Sequence, residues 1–176
     1  MAFERENGLE ERAVEATLFM AELARNLKTE SVSRLHPTPP WRIAPEQSVA
    51  EAVALMREQR VGCVLVCQGE DELVGLFTER DLLRRVLAAG LPLSVPVAMC
   101  MTRDPVVIHP KDPIGAAVRL MEEGGYRHLP VVDADGRPLG VLSVKRIVHY
   151  LAEHFPSTIY NQPPDPNVVP RNPEGA

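Results

Sequence analysis

Apolar and polar positions along the chain fall into two rhythms. Leu9, Ala13, Ala16, Met20, Leu23 and Leu27 recur at spacings of four and three, the period of one helical face, and predict an amphipathic helix over 9–28. From residue 40 onward, short apolar runs bounded by turn residues alternate with helix-period stretches. Ser48-x-x-Glu51 is a capping box that predicts a helix over 49–59. The runs 63–67 and 73–77 predict a hairpin, and a helix follows from about 79 to 88. The same order returns later. Val106-Val107-Ile108 reads as a strand, and Asp112-Pro113 opens a helix with Asp112 as cap and Pro113 at the first helical position. Ile114, Ala117, Val118 and Met121 carry the helix to Gly124-Gly125. Leu129–Val132 and Leu139–Leu142 flank an Asp135-Gly136 turn, and a last helix begins near Ser143 with Ile147, Val148 and Leu151 inward.

The two passages are copies. Sliding the chain against itself by sixty-five residues aligns 40–86 with 105–151 without a gap, with ten identities. They include Pro40/Pro105, Ile43/Ile108, Ala52/Ala117, Met56/Met121, Val66/Val131 and Gly75/Gly140, with Thr78/Ser143 and Arg80/Lys145 as conservative pairs. Identities that fall on turn and core positions in one register mark a tandem duplication. A unit of about fifty residues buries little surface alone, so the copies are expected to pack as one body. The expected organisation is an N-terminal helix and linker (1–35), a first repeat (36–88), a linker (89–104), a second repeat (105–155) and a tail (156–176). Six prolines in that tail, without periodicity, predict an extended or disordered segment.

Composition narrows the class. No apolar run approaches the ~20 residues of a membrane span, and the start, Met1-Ala2-Phe3-Glu4-Arg5-Glu6, does not read as a signal peptide. Three cysteines supply no disulfide framework, so a cytoplasmic protein is expected. The net charge of −5 argues against nucleic-acid binding by bulk charge. Cys63 and Cys67 share one strand face about 13 Å apart, too far for a common metal. His149 and His154 lie on different helix faces, so no metal site is expected. No nucleophile elbow, phosphate-binding glycine loop or dinucleotide fingerprint appears, and no enzymatic activity is expected.

The chemistry concentrates in Gly75-Leu76-Phe77-Thr78-Glu79-Arg80-Asp81, a strand end, a hydroxyl, and a helix whose third residue is a carboxylate. Two readings stand side by side. Thr78 and Asp81 form a capping box, or they form a ribonucleotide site. In the second case the helix N-terminus and hydroxyl face a phosphate and the carboxylate accepts from both ribose hydroxyls. The second copy, Gly140-Val141-Leu142-Ser143-Val144-Lys145-Arg146, keeps the glycine and hydroxyl but carries Arg146 where the acid stands. An arginine accepts no hydrogen bond from ribose.

This arrangement resembles a pair of cystathionine-β-synthase (CBS) domains, together called a Bateman module. The resemblance rests on Gly75 to Asp81, on Tyr126-Arg127-His128-Leu129-Pro130-Val131-Val132-Asp133 and on Met101-Thr102-Arg103-Asp104-Pro105-Val106, and covers roughly 36–155. It implies an α+β fold, an α/β sandwich of two β-α-β-β-α repeats related by a pseudo-twofold axis, preceded by the N-terminal helix. It also implies a regulatory, non-catalytic protein that binds AMP, ADP or ATP between the repeats, with S-adenosylmethionine or NAD as further adenosine-bearing ligands. Carried onto this chain, the site comprises Thr78, Arg80, Asp81, Thr102, Val106, Tyr126, Arg127, His128 and Pro130. A homodimer and an effector protein of unknown identity are implied as well. For the second motif the alternatives are a dead site filled by Trp41, and a phosphate grip in which Ser143, Lys145 and Arg146 hold the polyphosphate of a nucleotide bound at the first.

Overall fold

A computed structural model describes residues 2–154, and the side chains of residues 14 and 16–154. The expected tail, 156–176, lies outside the described residues, and the side chains of the seam positions Leu9 and Ala13 lie outside those described. The N-terminal helix α1 (Ala2–Thr29) is longer than its apolar seam. Leu27 packs on the core of the second repeat, whereas Ala16 and Met20 are exposed.

The first repeat contributes β1 (Arg42–Ile43), α2 (Val49–Gln59), β2 (Cys63–Gln68), β3 (Glu72–Thr78) and α3 (Glu79–Asp81), which continues as a π-helical stretch, Leu82–Leu87. Ser48 and Glu51 cap α2 reciprocally, as the sequence predicts. The second repeat contributes α4 (Ile114–Gly124), β5 (His128–Val132), β6 (Pro138–Ser143) and α5 (Val144–His154). Two expectations fail here. The run 106–108 forms a single parallel bridge, Ile108 to Val131, rather than a strand. Asp112 does not cap α4: its Oδ2 accepts from the His109 N–H at 2.8 Å, and Pro113 takes the cap position without a side-chain bond. The carboxylate is held by the turn in front of the helix.

The residues expected to link the repeats are partly structural. Thr102–Arg103 form β4, which pairs antiparallel with β3 and completes the sheet order β1-β2-β3-β4. Strands β5 and β6 make a two-stranded sheet, with Thr38 bridged to Val141 of β6. Both hairpins shift register at equivalent positions, Val66/Cys67 and Val131/Val132.

The segments ahead of each repeat are exchanged. Val97, Cys100 and Met101 enter the first repeat's core, while Val32 and Leu35 enter the second's. The backbone bonds match one for one. Val97 N–H donates to Gln47 O and Ala98 N–H to Pro45 O, just as Val32 N–H donates to Asp112 O and Ser33 N–H to Pro110 O. The glycines of the two motifs make room for this exchange. A Cβ at Gly140 would lie 2.7 Å from Thr38 O, and one at Gly75 would run into the Met101 side chain. Between the two main cores, Cys63, Leu65, Cys67 and Leu76 of the first repeat meet Val141 of the second. Strand β2 thus spends alternate residues on its own core and on the contact between repeats.

Candidate functional site

Two clefts open where the repeats meet, of about 810 and 550 Å³. The first is built from both copies. Thr78, Arg80 and Asp81 line one side, at the junction of β3 and α3. Thr102 and Val106 approach from the exchanged segment, and Tyr126, Arg127 and His128 from the turn into β5. Eight of the nine residues expected there are therefore brought together. Pro130 is the exception: it is buried within β5 opposite Val141, and lines neither cleft. Pro130 shares the strand face of His128 but lies two residues, about 6–7 Å, farther along β5, where it is buried.

Asp81 is buried, with 7% of its surface exposed. Its Oδ2 accepts from the Thr78 N–H at 3.0 Å and from the Thr78 hydroxyl at 2.7 Å, while the Asp81 N–H donates to Thr78 Oγ1 at 3.2 Å. Its Oδ1 faces Arg85 Nε at 3.3 Å. The capping box is thus formed, and it presents the carboxylate at the cleft. Two oxygens offer about four acceptor directions; Thr78 takes two and Arg85 one. A diol reaching Asp81 takes the remaining direction and displaces the Thr78 hydroxyl or the Arg85 guanidinium.

Arg85 was not among the expected residues, although its position four after Asp81 is a helix ion-pair spacing. It also donates to the carbonyls of Cys100 and Met101, so one side chain ties the carboxylate to the exchanged segment. Arg80 donates to Gly125 O at 3.0 Å, across the cleft mouth. Burial holds the His128 imidazole below its ordinary pKa, and Arg127 and Arg80 act in the same direction against the Glu79 carboxylate. His128 is therefore neutral at pH 7. The Cys63 thiol is pushed up to about 12 by burial and by Glu79, which leaves it unreactive.

The second cleft holds Ser143, Lys145 and Arg146, with Arg60, Thr38 and His149 around them. Trp41 does not fill it; its side chain packs on the first repeat's core. The filled-site expectation is thereby corrected: Trp41 precedes β1 and turns toward the interior. Gly62, Arg127 and His128 border both clefts. A Cβ at Gly62 would stand 3.3 Å from the His128 ring and from Glu79 Oε2, so a side chain there would crowd the wall between them. Among the described residues no cluster of His, Cys, Asp or Glu could hold a metal, and no helix is long and apolar enough to cross a membrane.

Known proteins share this build. A solved CBS domain protein of Pyrobaculum aerophilum, complexed with AMP, superposes with a TM-score of 0.63 at 27% identity, covering 70% of this chain and 98% of that one. The protein CBSX2, also solved in complex with AMP, gives 0.60 at 28% identity, covering 70% and 97%. An uncharacterized 17.7 kDa protein of Acidianus ambivalens is 28% identical over 122 residues, 69% of this chain and 73% of its own length. The chain spans only 54% of a Methanopyrus kandleri relative and 24% of an Arabidopsis thaliana CBS domain-containing protein. The CBS domain family profile matches residues 21–88 and 97–153, which begins the second match at the exchanged segment and takes in most of the chain. The chain belongs to the CBS domain family.

Proposed function

We propose that this protein is a non-catalytic regulatory module that binds an adenosine-containing ligand, AMP, ADP or ATP, in the first cleft and reports its concentration as an energy or metabolite sensor. One observation carries the reading: a buried carboxylate, Asp81, is presented at a cleft of about 810 Å³ whose opposite wall comes from the other repeat. Ribose hydroxyls donate to Asp81, and the adenine lies against Val106 and Tyr126, each more than a third exposed. A ligand that touches both repeats binds their alternative packings unequally, which is what a sensor requires. The AMP complexes of two relatives support the ligand class.

Calorimetric titration tests the reading. AMP is expected to bind with a micromolar to submillimolar Kd, and Asp81→Ala to weaken it by about a hundredfold or more. A wild-type protein that gives no heat with AMP, ADP or ATP refutes it. The alternative is a ligand-free interaction module in which Thr78 and Asp81 only cap a helix, and it predicts no nucleotide effect on melting.

A homodimer belongs to the same proposal. Leu83 and Val148 occupy duplicate positions on the last helix of each repeat and are 60% and 56% exposed, so Val148 does not face inward as its spacing predicts. Equivalent apolar positions left open on both copies suit a second module. Light scattering should then show two chains for the wild type and one for Leu83→Asp/Val148→Asp.

A further inference from the structure

We infer that the second cleft is a polyphosphate site that has given up the nucleoside. The inference deepens the nucleotide reading and rests on it for one of two sources of the phosphate chain. Three observations converge. Apart from the Cys63 thiol, which burial keeps protonated, every ionisable group at the cleft is a cation or a histidine: Arg60, Arg127, Lys145, Arg146, His128 and His149 line it, and no carboxylate does. In a chain of net charge −5, four arginine and lysine side chains around 550 Å³ form a strong local positive field. Among the described residues none of the four makes an ion pair, whereas Arg34, Arg42, Arg85 and Arg137 each pair with a carboxylate.

The second observation is Arg60. It caps α2 in the left-handed region, at φ 54°, where its duplicate in the second repeat is Gly125 at φ 64°. A side chain in that region is strained and glycine is not. This chain thus carries an arginine at a position that glycine suits better, and that arginine faces the cleft. The third is Arg146. It replaces the ribose-binding acid with a bidentate oxyanion donor, one turn into the eleven-residue helix α5, whose N-terminal N–H groups favour an anion.

Nothing at this cleft can accept from a diol as a carboxylate does, while guanidinium and ammonium groups suit phosphate oxygens. The phosphate chain has two sources. Because Gly62, Arg127 and His128 border both clefts, it is either the tail of a nucleotide seated at Asp81 or a free inorganic polyphosphate.

Sodium tripolyphosphate, AMP and ATP are titrated calorimetrically into wild type, Arg60→Gly and Arg146→Ala at constant ionic strength. Arg60→Gly guards against simple unfolding, since glycine tolerates the backbone at that cap; its melting temperature should hold or rise. Tripolyphosphate should bind the wild type and lose about tenfold or more in either variant, while AMP affinity stays within a few-fold. A preference for ATP over AMP that disappears in Arg146→Ala assigns the tail. Equal AMP and ATP affinities, with tripolyphosphate still binding to AMP-saturated protein, assign the free chain. Tripolyphosphate that does not bind, or binds the variants as well as the wild type, with an unchanged ATP-to-AMP ratio, overturns the inference. AMP failing to bind while tripolyphosphate does would refute the nucleotide reading and leave this one standing.

Discussion

The two clefts descend from one sequence, yet at one duplicate position the first carries an acid, Asp81, and the second a base, Arg146. In the first, Thr78 and Asp81 satisfy one another and present a carboxylate. In the second, Ser143 keeps the hydroxyl but Arg146 cannot return the bond, and no hydrogen bond of the Ser143 side chain is found among the described residues. The difference teaches that a capping box and a ligand site are not competing readings of the first motif. The cap fixes the rotamer that aims Asp81 at the cleft, so under the proposed function helix stability and ligand recognition would use the same two side chains. Where the acid is lost, the reciprocal cap and the ribose acceptor go together.

The largest test of this comparison reverses it. Arg146→Asp should rebuild the box with Ser143, remove the cleft's defining cation and raise the number of AMP sites per chain from one to two, read by calorimetric stoichiometry. An unchanged stoichiometry would mean that the acid alone does not make the site. Next in size is the fit of the exchanged segments. Gly140→Ala should cost about 2 kcal/mol, because the new methyl meets the Thr38 backbone, and overpacking against fixed atoms costs 1–3 kcal/mol. Gly75→Ala should cost less, since its first obstacle is the Met101 side chain. Denaturant midpoints of the two variants give the order.

The caps come third. Thr78→Ala should lower stability by about 1 kcal/mol, whereas Ser143→Ala, with no reciprocal partner to lose, should change it by a few tenths. The smallest effect is the pH dependence of the wall between the clefts. The His128 pKa is lowered from 6.5 by burial, so the folded state favours the neutral ring. Its contribution is present above pH 6.5 and is lost as pH falls through that value and then through the lower folded one. His128→Gln should therefore flatten the decline in melting temperature on the acid side of pH 6.5 and leave the alkaline side unchanged.

Much of this was legible in the residues because the duplication repeats its own punctuation. The capping boxes at Ser48 and Thr78, the Gly125 stop and both hairpins lie within a few residues of one another and obey local rules. The features that escaped are those created by distance. The pairing of Thr102–Arg103 with β3 and the entry of Val32 and Val97 into opposite cores depend on chain exchange, which no local period signals. Asp112 reads as a cap because Pro113 follows it, but the same pattern suits the turn it forms. Arg85 was visible at helix spacing from Asp81, but its second task, holding the carbonyls of Cys100 and Met101, appears only in the folded chain. Trp41 and Pro130 are assigned to the clefts by correspondence alone; the Trp41 side chain packs on the first repeat's core, and Pro130 is buried farther along β5.

The central claim, that the first cleft holds an adenosine through Asp81, is tested most directly by a crystal structure of the protein grown with AMP. The account predicts density in the first cleft, with both ribose hydroxyls on the Asp81 carboxylate and the base between Val106 and Tyr126. AMP seated elsewhere, or Asp81 still closed on Thr78 and Arg85 beside an AMP that does not touch it, would contradict it.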